Sequence, residues 1–198
     1  MRFASDHPIP FSLTIVDQGN IFRSKVVGFF LRQAIAQSFG RHVYADTYPI
    51  IRTARVQARN PDYKNITQYD FWRNDEEAFR RLFEEEFGIS VAALAEDESV
   101  EITPEMVNRS ALIYGVSRQD IADLEKKFPN YEGRFRQFSE IAGMDMDFMD
   151  PSKKLTVEIA REMMTQLREI CFRWVGLIPE LRDLETVEEL DEGRPGIE

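Results

Sequence analysis

The nine residues Val16-Asp17-Gln18-Gly19-Asn20-Ile21-Phe22-Arg23-Ser24 decide how this chain reads. Before them, residues 11–16 (Phe-Ser-Leu-Thr-Ile-Val) have the pattern of a short buried strand. After them Val26, Val27, Phe30, Leu31, Ala34, Ile35 and Phe39 recur at helical spacing until Gly40 stops the run. Between strand and helix lie a Gly-Asn turn, an arginine, and Ser24, a residue suited to cap the helix. Backbone N–H groups converging at a helix N-terminus bind anions, so the stretch has the outline of an oxyanion-binding loop.

The same alternation continues downstream. Residues 42–45 and 48–56 suggest strand, and 57–74, with Asn60-Pro61-Asp62, read as an excursion loop. Asp75 opens a second helix whose apolar face carries Ala78, Phe79, Leu82, Phe83 and Phe87, with Gly88 ending it. Thr103-Pro104 is a helix entry, a cap followed by proline in the first turn. Residues 111–116 read as an apolar strand leading to Ser117, a cap for the helix 118–127, and Phe128-Pro129 closes that helix. A final strand is expected within 134–141. The last helix starts near Leu155, with Ile159, Met163, Leu167, Ile170, Trp174 and Leu177 on one side. Strands alternating with helices predict an α/β fold of three layers, a short parallel sheet of about four strands with helices on both faces. In such sheets ligands sit beyond the carboxyl ends of the strands, where residues 17–24 and the Ser117 turn both fall.

Bulk properties narrow the partners. At 198 residues and 43% hydrophobic, the chain can bury an adequate core. The expected layout is an N-terminal extension (1–10), an α/β domain (11–178) with a divergent segment (46–74), and an acidic tail (179–198). A net charge of −10 speaks against nucleic-acid binding, which needs clustered Lys and Arg. One cysteine, Cys171, permits no internal disulfide and suits a reducing compartment. Asp6, His7 and two prolines interrupt any signal-peptide pattern, and no apolar run approaches membrane-spanning length. A cytoplasmic protein is the expectation. His7 and His42 have no partner motif, and no cofactor or metal is expected.

The order strand, Gly-Asn-Ile-x-Arg-Ser loop, helix, and a late Asp150-Pro151 resembles the low-molecular-weight protein tyrosine phosphatases and the arsenate reductases related to them. In that family the loop reads Cys-x-Gly-Asn-x-Cys-Arg-Ser. Gly19, Asn20, Ile21, Arg23 and Ser24 match, while Asp17 and Phe22 stand at the two cysteine positions. The Thr103-Pro104-Glu105 turn, 111–116 and 138–143 also fall in the family's order. The resemblance implies a thiolate attacking phosphorus, an anion held by Gln18, Gly19, Asn20, Ile21, Phe22, Arg23 and Ser24, and Asp150 as general acid. Asp17, Arg23 and Asp150 are thus the catalytic candidates. The family's aromatic residues after Asp-Pro are replaced here by Ser152-Lys153-Lys154, which argues against phosphotyrosine selectivity.

Asp17 changes the chemistry that the resemblance implies. An aspartate ordinarily ionised at neutral pH is a weak nucleophile toward phosphorus and would yield a labile acyl phosphate. Two like charges about 4 Å apart repel by about 4 kcal/mol at an effective dielectric near 20, which opposes a phosphate dianion beside Asp17. The same carboxylate can instead satisfy the loop amides and Arg23 as an internal anion. Arg23 is expected either to pair with Asp17 or to hold an external anion. Phe22 is expected to pack where the second cysteine would lie, and Cys171 to act as a small buried hydrophobe. Tyr63, Tyr69, Phe71 and Trp72 either cap the core, the favoured reading, or make a ligand wall or a protein interface.

Two functions follow from the same residues. One is a catalytically impaired, phosphatase-like binding or regulatory module with a protein partner or a second copy of itself. The other is a divergent phosphatase hydrolysing phosphoesters such as phosphotyrosine, with Mg²⁺ between Asp17 and Asp150 as the metal-assisted version.

Overall fold

Strand β1 (Ser12–Asp17) is buried at every one of its six residues, as a strand enclosed on both faces must be. The computed structural model describes residues 12–39, 50–58, 65–131, 133–148 and 155–177. β1 pairs in parallel with β2 (Ile50–Arg55) on one side and with β3 (Leu112–Gly115) on the other, and β3 pairs with β4 (Phe135–Gln137). The resulting four-stranded parallel sheet has the order β2-β1-β3-β4. The chain leaves β1 toward β2, then returns to lay β3 on the opposite flank. That reversal of direction puts a crevice between the carboxyl ends of β1 and β3.

The pleat sends alternate residues to two cores. Leu13, Ile15, Ile51 and Tyr114 face helix α1 (Arg23–Phe39) and helix α7 (Val157–Leu177). Val16, Ala54, Ile113 and Phe135 face helices α5 (Pro104–Arg109) and α6 (Arg118–Lys127). The expected layers are present. The aromatic segment joins the larger core through a 3₁₀ turn (Ile66–Gln68), α2 (Asp70–Asn74), α3 (Glu76–Arg81), a π-helical turn (Leu82–Glu86) and α4 (Val91–Glu96). Trp72 is buried between Phe79 and Phe83, with ring centroids 5.5 and 5.4 Å away. Tyr69 stacks on Phe71 at 5.2 Å. These aromatics close the core.

Several expectations need correction. The excursion loop across 57–74 is partly helical, because Asn65 accepts a hydrogen bond from the Thr67 N–H and starts the 3₁₀ turn. The final strand spans only Phe135–Gln137 before Phe138–Ala142 winds into 3₁₀ geometry. Ile159 and Leu177 are 47% and 51% exposed, so neither belongs to the buried stripe of α7. The stripe instead runs Val157, Ala160, Met163, Met164, Leu167, Ile170, Cys171, Trp174 and Val175, the wider set that a helix needs when it packs on both α1 and the Phe138–Ala142 turn. Ser117 and Asp120 form a reciprocal capping box at the start of α6, as a serine followed three residues later by an acid allows.

Trp174 is fully buried. Trp174→Ala is expected to lower unfolding free energy by about 3–5 kcal/mol. Ile159→Ala is expected to change it by less than about 0.5 kcal/mol, both measured by urea denaturation.

Candidate functional site

The loop after β1 is held from three directions. The β1–β2 pairing runs on into it, since Val56 N–H donates to the Asp17 carbonyl at 3.0 Å and Gln57 N–H to that of Gln18 at 3.2 Å. Residues 99–102 lie beside the end of β2, with Arg55 N–H donating to the Val100 carbonyl and Ile102 N–H to that of Arg55. From there Ser99 Oγ donates to the Gly19 carbonyl at 2.7 Å, and the Val100 N–H donates to Asn20 Oδ1 at 2.9 Å. Asn20 Nδ2 donates in turn to Ser24 Oγ at 3.0 Å. Asn20 adopts φ +51°, a left-handed conformation that asparagine tolerates better than most side chains. It turns the chain and ties both ends of the turn.

Asp17 fills the centre of this loop. Its Oδ1 accepts from the Asn20 N–H at 2.5 Å and its Oδ2 from the Ser24 N–H at 2.8 Å. The side chain is 3% exposed. It thereby satisfies amides at the N-terminal end of α1, where a negative charge is favoured by the helix dipole. Ser24 is not the expected N-cap; α1 already starts at Arg23, and the capping acceptor is the Asp17 carboxylate. Phe22 is 8% exposed and packs against Phe83 at 5.8 Å between ring centroids. Gln18 turns outward, its amide donating to Asp123 Oδ2 on α6 at 3.0 Å. Gly19 leaves its carbonyl to Ser99, and Ile21 is buried in the larger core.

Arg23 does not pair with Asp17. Its Nη1 donates to the Phe148 carbonyl at 2.5 Å and lies 3.8 Å from Asp120 Oδ2, so its ionic partner is Asp120 rather than Asp17. Asp120 is fully buried, and its Oδ2 accepts from both the N–H and the hydroxyl of Ser117 at 2.7 Å. Among the described residues, Asp120 Oδ1 has no hydrogen-bond partner. Burial pushes the Asp120 carboxyl up to about 6; Arg23 opposes the rise and Asp17 adds to it. Gly115 is what lets α6 come this close: a Cβ there would stand 2.7 Å from Ile121 Cδ1 and 3.1 Å from Asp120 Cβ. Lys25 is the other cation, also buried, donating to the Asp97 carbonyl and lying 3.4 Å from its carboxylate. Burial lowers its pKa against the pull of Asp97 and, more weakly, Asp17.

Asp120 and Lys25 carry no motif in the sequence. Ser117 signalled a helix cap, but nothing local indicated that Asp120 would meet Arg23 from a distant segment. Asp150, Pro151, Lys153, Lys154, His7, His42 and Tyr63 lie outside the described residues. Burial pushes the Cys171 thiol well above its ordinary value, which suits an inert core residue.

Because folded Asp120 holds its proton more tightly than the unfolded chain does, it contributes stability at low pH. That contribution is lost as pH rises through about 6. The stability of the wild type relative to Asp120→Asn is therefore expected to fall by about 2 kcal/mol between pH 4.5 and pH 7.5, measured by urea denaturation.

No family model matches the sequence, and no curated protein is similar to it. Solved structures do match the fold. The chain is similar to a low-molecular-weight protein tyrosine phosphatase from Bacillus subtilis, with TM-score 0.61, 20% identity, and 87% of this chain and 99% of that one covered. It is similar to the YwlE arginine phosphatase from Geobacillus stearothermophilus, with TM-score 0.60, 16% identity and coverage of 94% and 100%. It is also similar to the tyrosine phosphatase Wzb from Escherichia coli K30 in complex with sulphate, with TM-score 0.60, 17% identity and coverage of 83% and 96%. The chain has the fold of the low-molecular-weight protein tyrosine phosphatases.

Proposed function

We propose that this protein is a catalytically silent member of the phosphatase fold that works as a cytoplasmic binding or regulatory module. Its remnant oxyanion loop is filled by its own carboxylate. The observation that carries this reading is the pair of hydrogen bonds from the Asn20 and Ser24 amides to Asp17. Those donors would otherwise face an incoming phosphoryl oxygen. A phosphoryl group entering beside Asp17 meets a like charge in a shielded site, and the loop holds no thiolate to attack it. Arg23 is engaged elsewhere, with Asp120 and Phe148. The partner in this reading is a protein or a second copy of the chain. The aromatic segment is not offered as its contact surface, since Trp72 and Phe79 are already inside the core.

The runner-up reading is a divergent phosphatase, favoured by the fact that the similar structures are phosphatases. It requires Arg23 to turn toward the loop centre and a cation to offset Asp17. Turnover of an aryl phosphate by the full chain separates the two readings. No rate above buffer is expected, with or without Mg²⁺. Metal-free turnover would overturn the silent-module reading, and magnesium-dependent turnover abolished by Asp17→Asn would establish the metal-assisted one.

A further inference from the structure

The reading of a self-filled loop leaves open what would let an external anion in. Three charged side chains bury together there: Asp17 from the end of β1, Arg23 from the start of α1, and Asp120 from the first turn of α6. With both acids ionised the trio carries a net charge of −1. Lys25 is also buried and feels Asp17, but its ionic partner is Asp97. An oxyanion dianion added to that group would raise the buried negative charge to −3, and the low local dielectric penalises each added charge.

Asp120 is built to take up a proton. Its Oδ2 is engaged by Ser117 while its Oδ1 is buried with no donor among the described residues, an arrangement that costs an ionised carboxylate more than a neutral one. Among the described residues, the charged groups facing it are Arg23, which favours its ionised form, and Asp17, which disfavours it. From the 144–148 segment, Asp145 and Asp147 are turned to Arg118, pairing with its guanidinium and its N–H respectively. On α6 itself, Asp123 is taken by the amides of Gln18, Gln57 and Gln119. No described cation other than Arg23 contacts Asp120. A proton on Asp120 removes the ionic partner of Arg23, so its positive charge becomes available to an anion in the loop. The trio's net charge then rises from −1 to 0.

We propose that the loop is proton-gated: it exchanges its internal Asp17 carboxylate for an external tetrahedral oxyanion only when Asp120 takes up a proton. The balance is one oxyanion and one proton bound per loop, with no bond broken and no redox step. Asp17 leaves the Asn20 and Ser24 amides, the oxyanion takes its place, and Arg23 turns from neutral Asp120 to the bound anion. The inference rests on the silent-module reading and deepens it, because it says under which condition the remnant site is open.

Sulfate is the suitable probe, since it stays a dianion from pH 5 to 7.5 and any pH dependence then belongs to the protein. Calorimetric titration of the full chain is expected to show sulfate bound about thirty-fold more tightly at pH 5.0 than at pH 7.5, the ratio of protonated fractions for a carboxyl titrating near 6. Repeating the titration at pH 6.5 in two buffers of different ionisation enthalpy should report between roughly half and one proton taken up per sulfate. That readout needs no variant. Asp120→Asn, which mimics the neutral acid, should bind at pH 7.5 as tightly as the wild type does at pH 5.0, with a profile flat to about twofold. Binding without proton uptake, a slope that survives in Asp120→Asn, or no sulfate binding at pH 5.0 each overturns the gate. The aryl phosphate assay judges the silent-module reading separately. No turnover with pH-indifferent sulfate binding sinks only the gate, while metal-free turnover sinks the reading itself.

Discussion

A carboxylate seated on the amides of its own loop is the interaction from which the rest of the site follows. Asp17 stands at the last position of β1, and its two oxygens satisfy the Asn20 N–H in the loop and the Ser24 N–H in the first turn of α1. Each bond is charge-assisted and buried, the condition in which such bonds are strongest and in which losing the acceptor leaves orphaned donors. The loop therefore needs no ligand to be ordered. Asn20 and the 99–102 segment fix its backbone, and the carboxylate fixes its interior.

The second constraint is electrostatic. Two acids and an arginine share a crevice where the sheet reverses its strand order, the place where this class of sheet offers ligands a site. Arg23 pairs with Asp120 and the Phe148 carbonyl rather than with Asp17. Asp17 is left to the amides and Asp120 to Ser117, with one Asp120 oxygen unpaired among the described residues. The loop thus holds a charge pattern quite unlike that of a reactive thiolate beside a free arginine.

The architecture was largely legible in the sequence, and for identifiable reasons. The apolar run 11–16, the helical recurrence from Val26 to Phe39, and the Ser117 cap are local signals, and their elements form at Ser12–Asp17, Arg23–Phe39 and Arg118–Lys127. What local signals could not show are contacts between distant segments. Arg23 meeting Asp120 joins residues 97 apart in the chain, and Lys25 meeting Asp97 joins residues 72 apart. Neither pairing leaves a spacing pattern. Ser24 illustrates a subtler limit: serine before an apolar run is a good capping signal, but a stronger acceptor seven residues earlier supplied the cap. On α7, Ile159 and Leu177 fit the period yet face solvent, because the helix axis sets the buried face and the period alone does not.

The most direct test is a crystal structure of the full chain soaked in vanadate at neutral pH. The account predicts the Asp17 carboxylate still lying on the Asn20 and Ser24 amides, with no vanadium density over residues 17–24. Vanadate held by those amides and by Arg23, with the Asp17 side chain swung outward, would contradict it.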